Sequence, residues 1–274
     1  DDLNVVKLST EGFDKIRRRM SEAIEEARAE VAAEKLLTDY ETFIQENDAL
    51  VEEMAATLRQ FPGLETVLVL DQSKSCEDRY GDSRIIDQER AALAIIMAAH
   101  MRAERNCAVI GFGGWDSGDS EPVGVVGRVK IFAHKPMATR LDSEVANYVY
   151  GQAGKADGAT DLIGPMDVAL GQFTKKANNK MIHVLTDAQL GNAHDVRRYI
   201  DQCRGQGVGV AVQGFGDAQH VNVVAGEYGQ HVRSFSEAVR CAKDLFIKTV
   251  VDNAGRFVGD VEAAAEGIGV ATSQ

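Results

Sequence analysis

The stretch Val67-Leu68-Val69-Leu70-Asp71-Gln72-Ser73-Lys74-Ser75 decides how the rest of the chain is read. Its first four residues form an uninterrupted apolar run, the pattern of a strand covered on both faces. The run ends in D-x-S-x-S, which sets one carboxylate and two hydroxyls on alternating residues of the loop leaving the strand. In open α/β sheets, ligands bind outside the carboxyl ends of the strands. A strand that delivers oxygen donors at that end therefore predicts a fold and a site together.

Working outward, apolar runs at Ala108-Val109-Ile110, Val129 to Ala133, Met181 to Leu185 and Val208 to Val212 read as further strands. Val232 to Phe235 is read as a last, shorter strand that precedes the final helix. Between them, helical periodicity is centred on Ala91–Met101, Leu141–Tyr150, Leu162–Phe173, 193–205 and Glu237–Val251. Strands alternating with helices of this length predict an α/β fold. It is Rossmann-like, with a mostly parallel sheet and helices on both faces. Phe13 to Phe61 contains neither Gly nor Pro and repeats its apolar residues every three or four positions. A helical hairpin or a long bent helix is expected there, broken near Leu37. At that point Thr38-Asp39-Tyr40-Glu41 reads as a capping box, and Pro62-Gly63 ends the run. Residues 1–62 are thus expected to be a helical appendage, 63–253 the α/β domain, and 254–274 a Gly/Ala-rich tail that is either a short helix or loose.

Charge divides along the same line. The 274 residues carry 42 acids against 30 bases, a net charge of −12. Residues 1–62 hold 15 acids and 8 bases, and the remaining 212 hold 27 and 22. The acidic balance argues against nucleic acid as a partner, which needs clustered Lys and Arg. No apolar run approaches the roughly 18 residues that span a bilayer, and Asp1-Asp2-Leu3-Asn4 is not a secretory leader. Cys76, Cys107, Cys203 and Cys241 lie far apart without C-x-x-C spacing, so reduced thiols and a cytoplasmic setting are expected. The glycine-rich stretches 111–114 and 214–216 lack the spacing of a nucleotide loop. His183, inside an apolar strand, reads as a satisfied core histidine. Trp115 lies in a polar loop with Asp116, Asp119 and Glu121, where it is either a contact residue or half-buried packing.

Two further loops offer oxygen. Gly158-Ala159-Thr160-Asp161 precedes a helix, and Thr186-Asp187-Ala188 follows the Met181–Leu185 strand. Asp71, Ser73, Ser75, Thr160 and Asp187 form an all-oxygen donor set suited to a hard divalent cation such as Mg²⁺. Two carboxylates balance the ion's charge, hydroxyls fill positions without adding any, and one position is left for an outside ligand. Asp161 reads instead as a charge at a helix N-terminus.

D-x-S-x-S after the first strand, Thr in a second loop and T-D after a later strand together resemble the von Willebrand factor A domain and its metal-ion-dependent adhesion site. The resemblance covers residues 64–252. It implies a metal site of Asp71, Ser73, Ser75, Thr160 and Asp187 holding Mg²⁺, or Mn²⁺ or Ca²⁺, and a protein partner that supplies an Asp or Glu to the ion. Position 74 departs from the family in being Lys rather than a small residue. Asp187 is followed by Ala188 where Gly is frequent, and Cys76 occupies a place often held by Met and reads as packing. Without disulfides and behind an acidic helical region, the chain is most similar to the intracellular branch. That branch includes cobalt- and magnesium-chelatase subunits and proteins paired with MoxR-type AAA+ ATPases. The implied function is metal-dependent protein recognition without catalysis. Two other readings stand beside it: an assembly protein that forms homo-oligomers through its helices, and a metal-dependent hydrolase.

Overall fold

The structure is a computed structural model and describes residues 40–81, 83–114, 122–218 and 220–270, with side chains as far as Asn253. Seven strands form the main sheet: β1 (Leu64–Gln72), β4 (Cys107–Gly113), β5 (Gly124–Val126), β6 (Val129–Lys135), β7 (Asn179–Thr186), β8 (Val208–Phe215) and β9 (Gly229–Val232). Their order is β5-β6-β4-β1-β7-β8-β9. The pairings of β1 with β4 and β7, of β7 with β8 and of β8 with β9 are parallel; β6 runs antiparallel to β4, and β5 to β6. A small antiparallel pair, β2 (Arg79–Tyr80) and β3 (Ser83–Arg84), lies apart from the main sheet.

The apolar run of β1 is explained by the two layers around it. Leu64, Leu68 and Leu70 face one hydrophobic core, while Val67 and Val69 face the other. Successive side chains of a strand point to opposite faces, so a central strand with both faces covered is apolar throughout. The first core is closed by α1 (Asp48–Gln60), α2 (Ile85–Arg102), α3 (Ser143–Gln152) and α7 (Phe235–Val270). The second is closed by α4 (Ile163–Leu170), α5 (Ala193–Gly205) and the short α6 (Val221–Ala225). This is the two-sided, mostly parallel α/β architecture expected from the sequence.

Several boundaries differ. The last strand ends at Val232 and α7 already begins at Phe235, because Ser234 and Glu237 close the helix start. Ser234 accepts a hydrogen bond from Glu237 N, and the Glu237 carboxylate accepts one from Arg233 N. Helix α7 then continues through 254–270, so this part of the Gly/Ala-rich stretch extends the preceding helix and is neither a separate short helix nor loose. At the other end, residues 40–46 are helical and a turn at Asn47 separates them from α1. Val51, Met54, Ala55 and Leu58 of α1 are fully or almost fully buried against the first core. The expected break near Leu37, with Thr38 and Asp39 of its capping box, lies outside the described residues, as do Trp115, Asp116, Asp119 and Glu121. No helix among the described residues is long and apolar enough to cross a membrane.

Candidate metal centre

Strands β1 and β7 are parallel neighbours in register, with Leu70 opposite Leu185. Their carboxyl ends emerge side by side, which brings Asp71 and the Thr186-Asp187 pair together although they are 115 residues apart in sequence. Thr186 Oγ1 donates to Asp71 Oδ2 at 2.6 Å, and Ser73 N donates to Asp71 Oδ1 at 2.9 Å. Ser73 Oγ lies 3.2 Å from Ser75 Oγ. Gln189 N donates to Asp187 Oδ1 at 3.1 Å, while the buried Asp187 Oδ2 has no hydrogen-bond partner. Four of the five expected donors (Asp71, Ser73, Ser75 and Asp187) therefore come together at the carboxyl end of the sheet.

Thr160 arrives by a different route. It is partly exposed, and no hydrogen bond links its hydroxyl to the other four residues. Its loop, however, is tied to the first: Asp157 N donates to Gln72 O at 2.8 Å, Lys74 N to Gly158 O at 3.1 Å, and Gly114 N to Asp157 O at 2.5 Å. Gly114 and Gly158 (φ +85°) pack so closely that a Cβ on either would collide with the other's backbone. Asp161 accepts from Ile163 N at 2.9 Å, the expected role at the start of a helix. Lys74 is exposed, so its ammonium points to solvent rather than into the carboxylates.

Gln72, a spacer residue of the motif, has a function of its own in the geometry. Its side chain is fully buried. Gln72 Nε2 donates to Gln152 O at 2.9 Å and to Lys155 O at 2.7 Å, and His134 Nε2 donates to Gln72 Oε1 at 2.6 Å. The amide clamps the segment leading into the Thr160 loop against the ends of β1 and β6. Gly111 makes room for the clamp, since a Cβ there would meet both Gln72 Oε1 and His134 Nε2. Burial lowers His134 to about 3 and keeps it neutral.

The electrostatics are those of a site held against its own charge. Burial, then the neighbouring Asp187, push Asp71 from 3.8 to about 7, against the opposing bonds from Thr186 and Ser73. A third carboxylate, Glu89, is completely buried on α2 and raised well above its ordinary value by burial and then by Asp71 and Asp187. Its Oε2 has no partner, and the Cys76 thiol donates to its Oε1 at 3.8 Å. Among the described residues no Lys or Arg pairs with any of these three carboxylates. Ala188 adopts a left-handed φ of +51°. That conformation costs an L-residue roughly 1–2 kcal/mol. His183 is fully buried, lowered to about 4 by burial, and only half satisfied: Nε2 lies 3.4 Å from Gln213 Oε1, while Nδ1 has no partner.

No protein-family model matches the chain, and no curated protein matches it significantly. Solved structures do resemble it. The manganese-loaded TRAP protein of Plasmodium vivax is 14% identical over 67% of this chain and 73% of its own, with a TM-score of 0.48. BatB from Bacteroides thetaiotaomicron is 15% identical over 70% of this chain and 99% of its own, also at 0.48. The VWA domain of SpRpn10 is 10% identical over 65% and 94%, at 0.45. Likenesses this weak say nothing about what the chain binds.

The donor set fits a divalent cation on the structure's own terms. Two carboxylates, neither paired with a base, converge with two hydroxyls, and one buried carboxylate oxygen is left unpartnered. A cation there would offset the burial and the Asp187 charge that together raise Asp71. Glu89 and Gln72 are the residues the sequence reading missed. Glu89 had a legible signal, because it shares the helical phase of Ile86, Leu93 and Ile96 on the buried face of α2. A glutamate in a core phase needs a reason.

Proposed function

We propose that this chain is a von Willebrand A-type recognition module whose metal-ion-dependent adhesion site holds a divalent cation, Mg²⁺, Mn²⁺ or Ca²⁺. Asp71 and Asp187 supply its charge, and Ser73, Ser75 and Thr160 complete the donor set. The observation that carries this reading is the buried Asp71–Asp187 pair at the carboxyl ends of β1 and β7, with Asp187 Oδ2 unpartnered. The ion would keep one position for an Asp or Glu of a protein partner, which the partly exposed Thr160 loop leaves approachable. The module is non-catalytic and cytoplasmic in this reading. The resemblance to chelatase- and MoxR-associated proteins makes an AAA+ ATPase the partner we favour.

Calorimetry with Mg²⁺ or Mn²⁺ on the wild type and Asp71→Ala tests the metal; indistinguishable titrations would sink it. Capture of a purified AAA+ partner with and without chelator tests the recognition, and binding that ignores the chelator would remove the ion from it.

A further inference from the structure

The oxygen donors described above are not the only ligand atoms at the site, because the structure also brings a sulfur atom to it. Resting on the metal reading, we propose that Cys76 is a further ligand of this site and that the site takes a borderline-soft divalent ion such as Zn²⁺ in preference to Mg²⁺. One ligand atom each from Asp71, Cys76 and Asp187 lie within 4.8 Å of one another, and all three residues are buried. Among the described residues this is the one group of three or more metal-ligating side chains so arranged. Zn²⁺ holds sulfur at about 2.3 Å and carboxylate oxygen at about 2.0–2.2 Å, with three protein ligands and an open fourth position in its reactive sites.

Two observations separate Cys76 from a packing residue. Packing at this place asks only for an apolar side chain. Cys76 does lie in the first core, but its thiol also faces polar atoms, lying 3.7 Å from Ser73 Oγ and 3.8 Å from Glu89 Oε1. Around it stand two buried carboxylates with unpartnered oxygens, Asp187 Oδ2 and Glu89 Oε2. The second of these belongs to no oxygen motif of the sequence. Coordination replaces the S–H bond by a sulfur–metal bond, and the displaced proton is released to bulk solvent. Thiolate ligands favour Zn²⁺ and its neighbours, whereas carboxylate and hydroxyl oxygens alone suit Mg²⁺. The thiolate also adds negative charge to the two carboxylates.

Titration of the chelator-stripped protein with Co²⁺, as a spectroscopic stand-in for Zn²⁺, tests the assignment. The wild type is expected to develop an intense thiolate-to-cobalt charge-transfer band that saturates at one equivalent. Cys76→Ser is expected to lose the band, and its Zn²⁺-over-Mg²⁺ affinity ratio to fall by about 10–100-fold, the range typical for loss of a supporting group at a metal site. Saturable Co²⁺ binding by the wild type without the band overturns the sulfur ligand and leaves the oxygen site standing. A band that survives in Cys76→Ser assigns it to Cys107, Cys203 or Cys241 and overturns the proposal as well. If the wild type binds neither Co²⁺ nor Mg²⁺, the metal reading itself falls. If Cys76→Ser fails to fold, variants removing Cys107, Cys203 and Cys241 one at a time decide instead: the band must survive in each of them, and its loss in any one overturns the proposal.

Discussion

Replacing Asp71 by Asn removes a charge that the metal-free fold carries at a cost. Burial and Asp187 raise the Asp71 carboxyl from 3.8 to about 7, about three units, and at roughly 1.4 kcal/mol per unit this is about 4 kcal/mol. The sign follows from proton counting. Between the unfolded value and about 7, the folded chain holds a proton that the unfolded chain has released, so stability falls as pH rises through that window and levels off above it. Asp71→Asn has no such proton. Its Oδ1 can keep the bond from Ser73 N, and its amide can donate to Thr186 Oγ1 with the hydroxyl turned to accept. In urea denaturation with a chelator present, the variant is expected to gain about 3 kcal/mol on the wild type between pH 5 and pH 7, with no further gain at higher pH. Millimolar Mg²⁺ or Zn²⁺ should then stabilise the wild type by mass action and leave the variant unmoved. Parallel pH profiles for the two proteins would refute the reasoning, because Asp71 would then ionise as freely in the fold as outside it.

Three other substitutions test the scaffold. Gly111→Ala forces a methyl group into the Gln72–His134 bond and should cost about 1–3 kcal/mol as overpacking. It should also weaken metal binding more than a distant substitution of equal cost, measured by calorimetry beside urea melts. Met54→Ala empties a fully buried position between α1 and the first core and should cost about 2–5 kcal/mol; a loss below 0.5 kcal/mol would mean α1 does not belong to that core. Ala188→Val puts a β-branched side chain at φ +51° and should destabilise by more than about 2 kcal/mol. A neutral result by thermal melting would show that the turn relaxes.

How much of this was legible in the sequence varied with how local the cause is. Val67 to Leu70 announced a central strand because burial on both faces leaves no room for polar residues. The oxygen donors stood out because D-x-S-x-S and T-D are read within a few residues, and their meeting follows from β1 and β7 being parallel neighbours. The strand before α7 was misplaced by three residues, since Val232-Arg233-Ser234-Phe235 straddles the boundary and has an apolar residue at each end only. The helix start there is set by Ser234 and Glu237, side chains that bond locally. Gln72 and Gly111 were illegible for a different reason. Their significance lies in His134 and in the carbonyls of Gln152 and Lys155, which no spacing rule connects to residue 72.

Glu89 shows why the donors were easier to read than their environment. A carboxylate in solution is an ordinary surface group, and by sequence Glu89 is one of 42 acids. In the fold it is completely buried, faces Cys76, and feels Asp71 and Asp187 with no base nearby. Evolution could have filled that position with Leu and gained stability, because an unpaired buried carboxyl costs more than an apolar side chain of similar size. Retaining it makes physical sense only if something other than the metal-free fold sets its value. A cation brought to Asp71, Cys76 and Asp187 would turn the same burial from a liability into a gain, since positive charge in a low-dielectric site is attracted to all three carboxylates at once. The strain is thus concentrated where a cation would relieve it, and the replacement Glu89→Leu separates the two states. It should stabilise the chelator-treated protein in urea melts and reduce the stabilisation that added Zn²⁺ provides. If the variant gains no stability in chelator, Glu89 is already satisfied in the metal-free fold, and the argument from its burial fails.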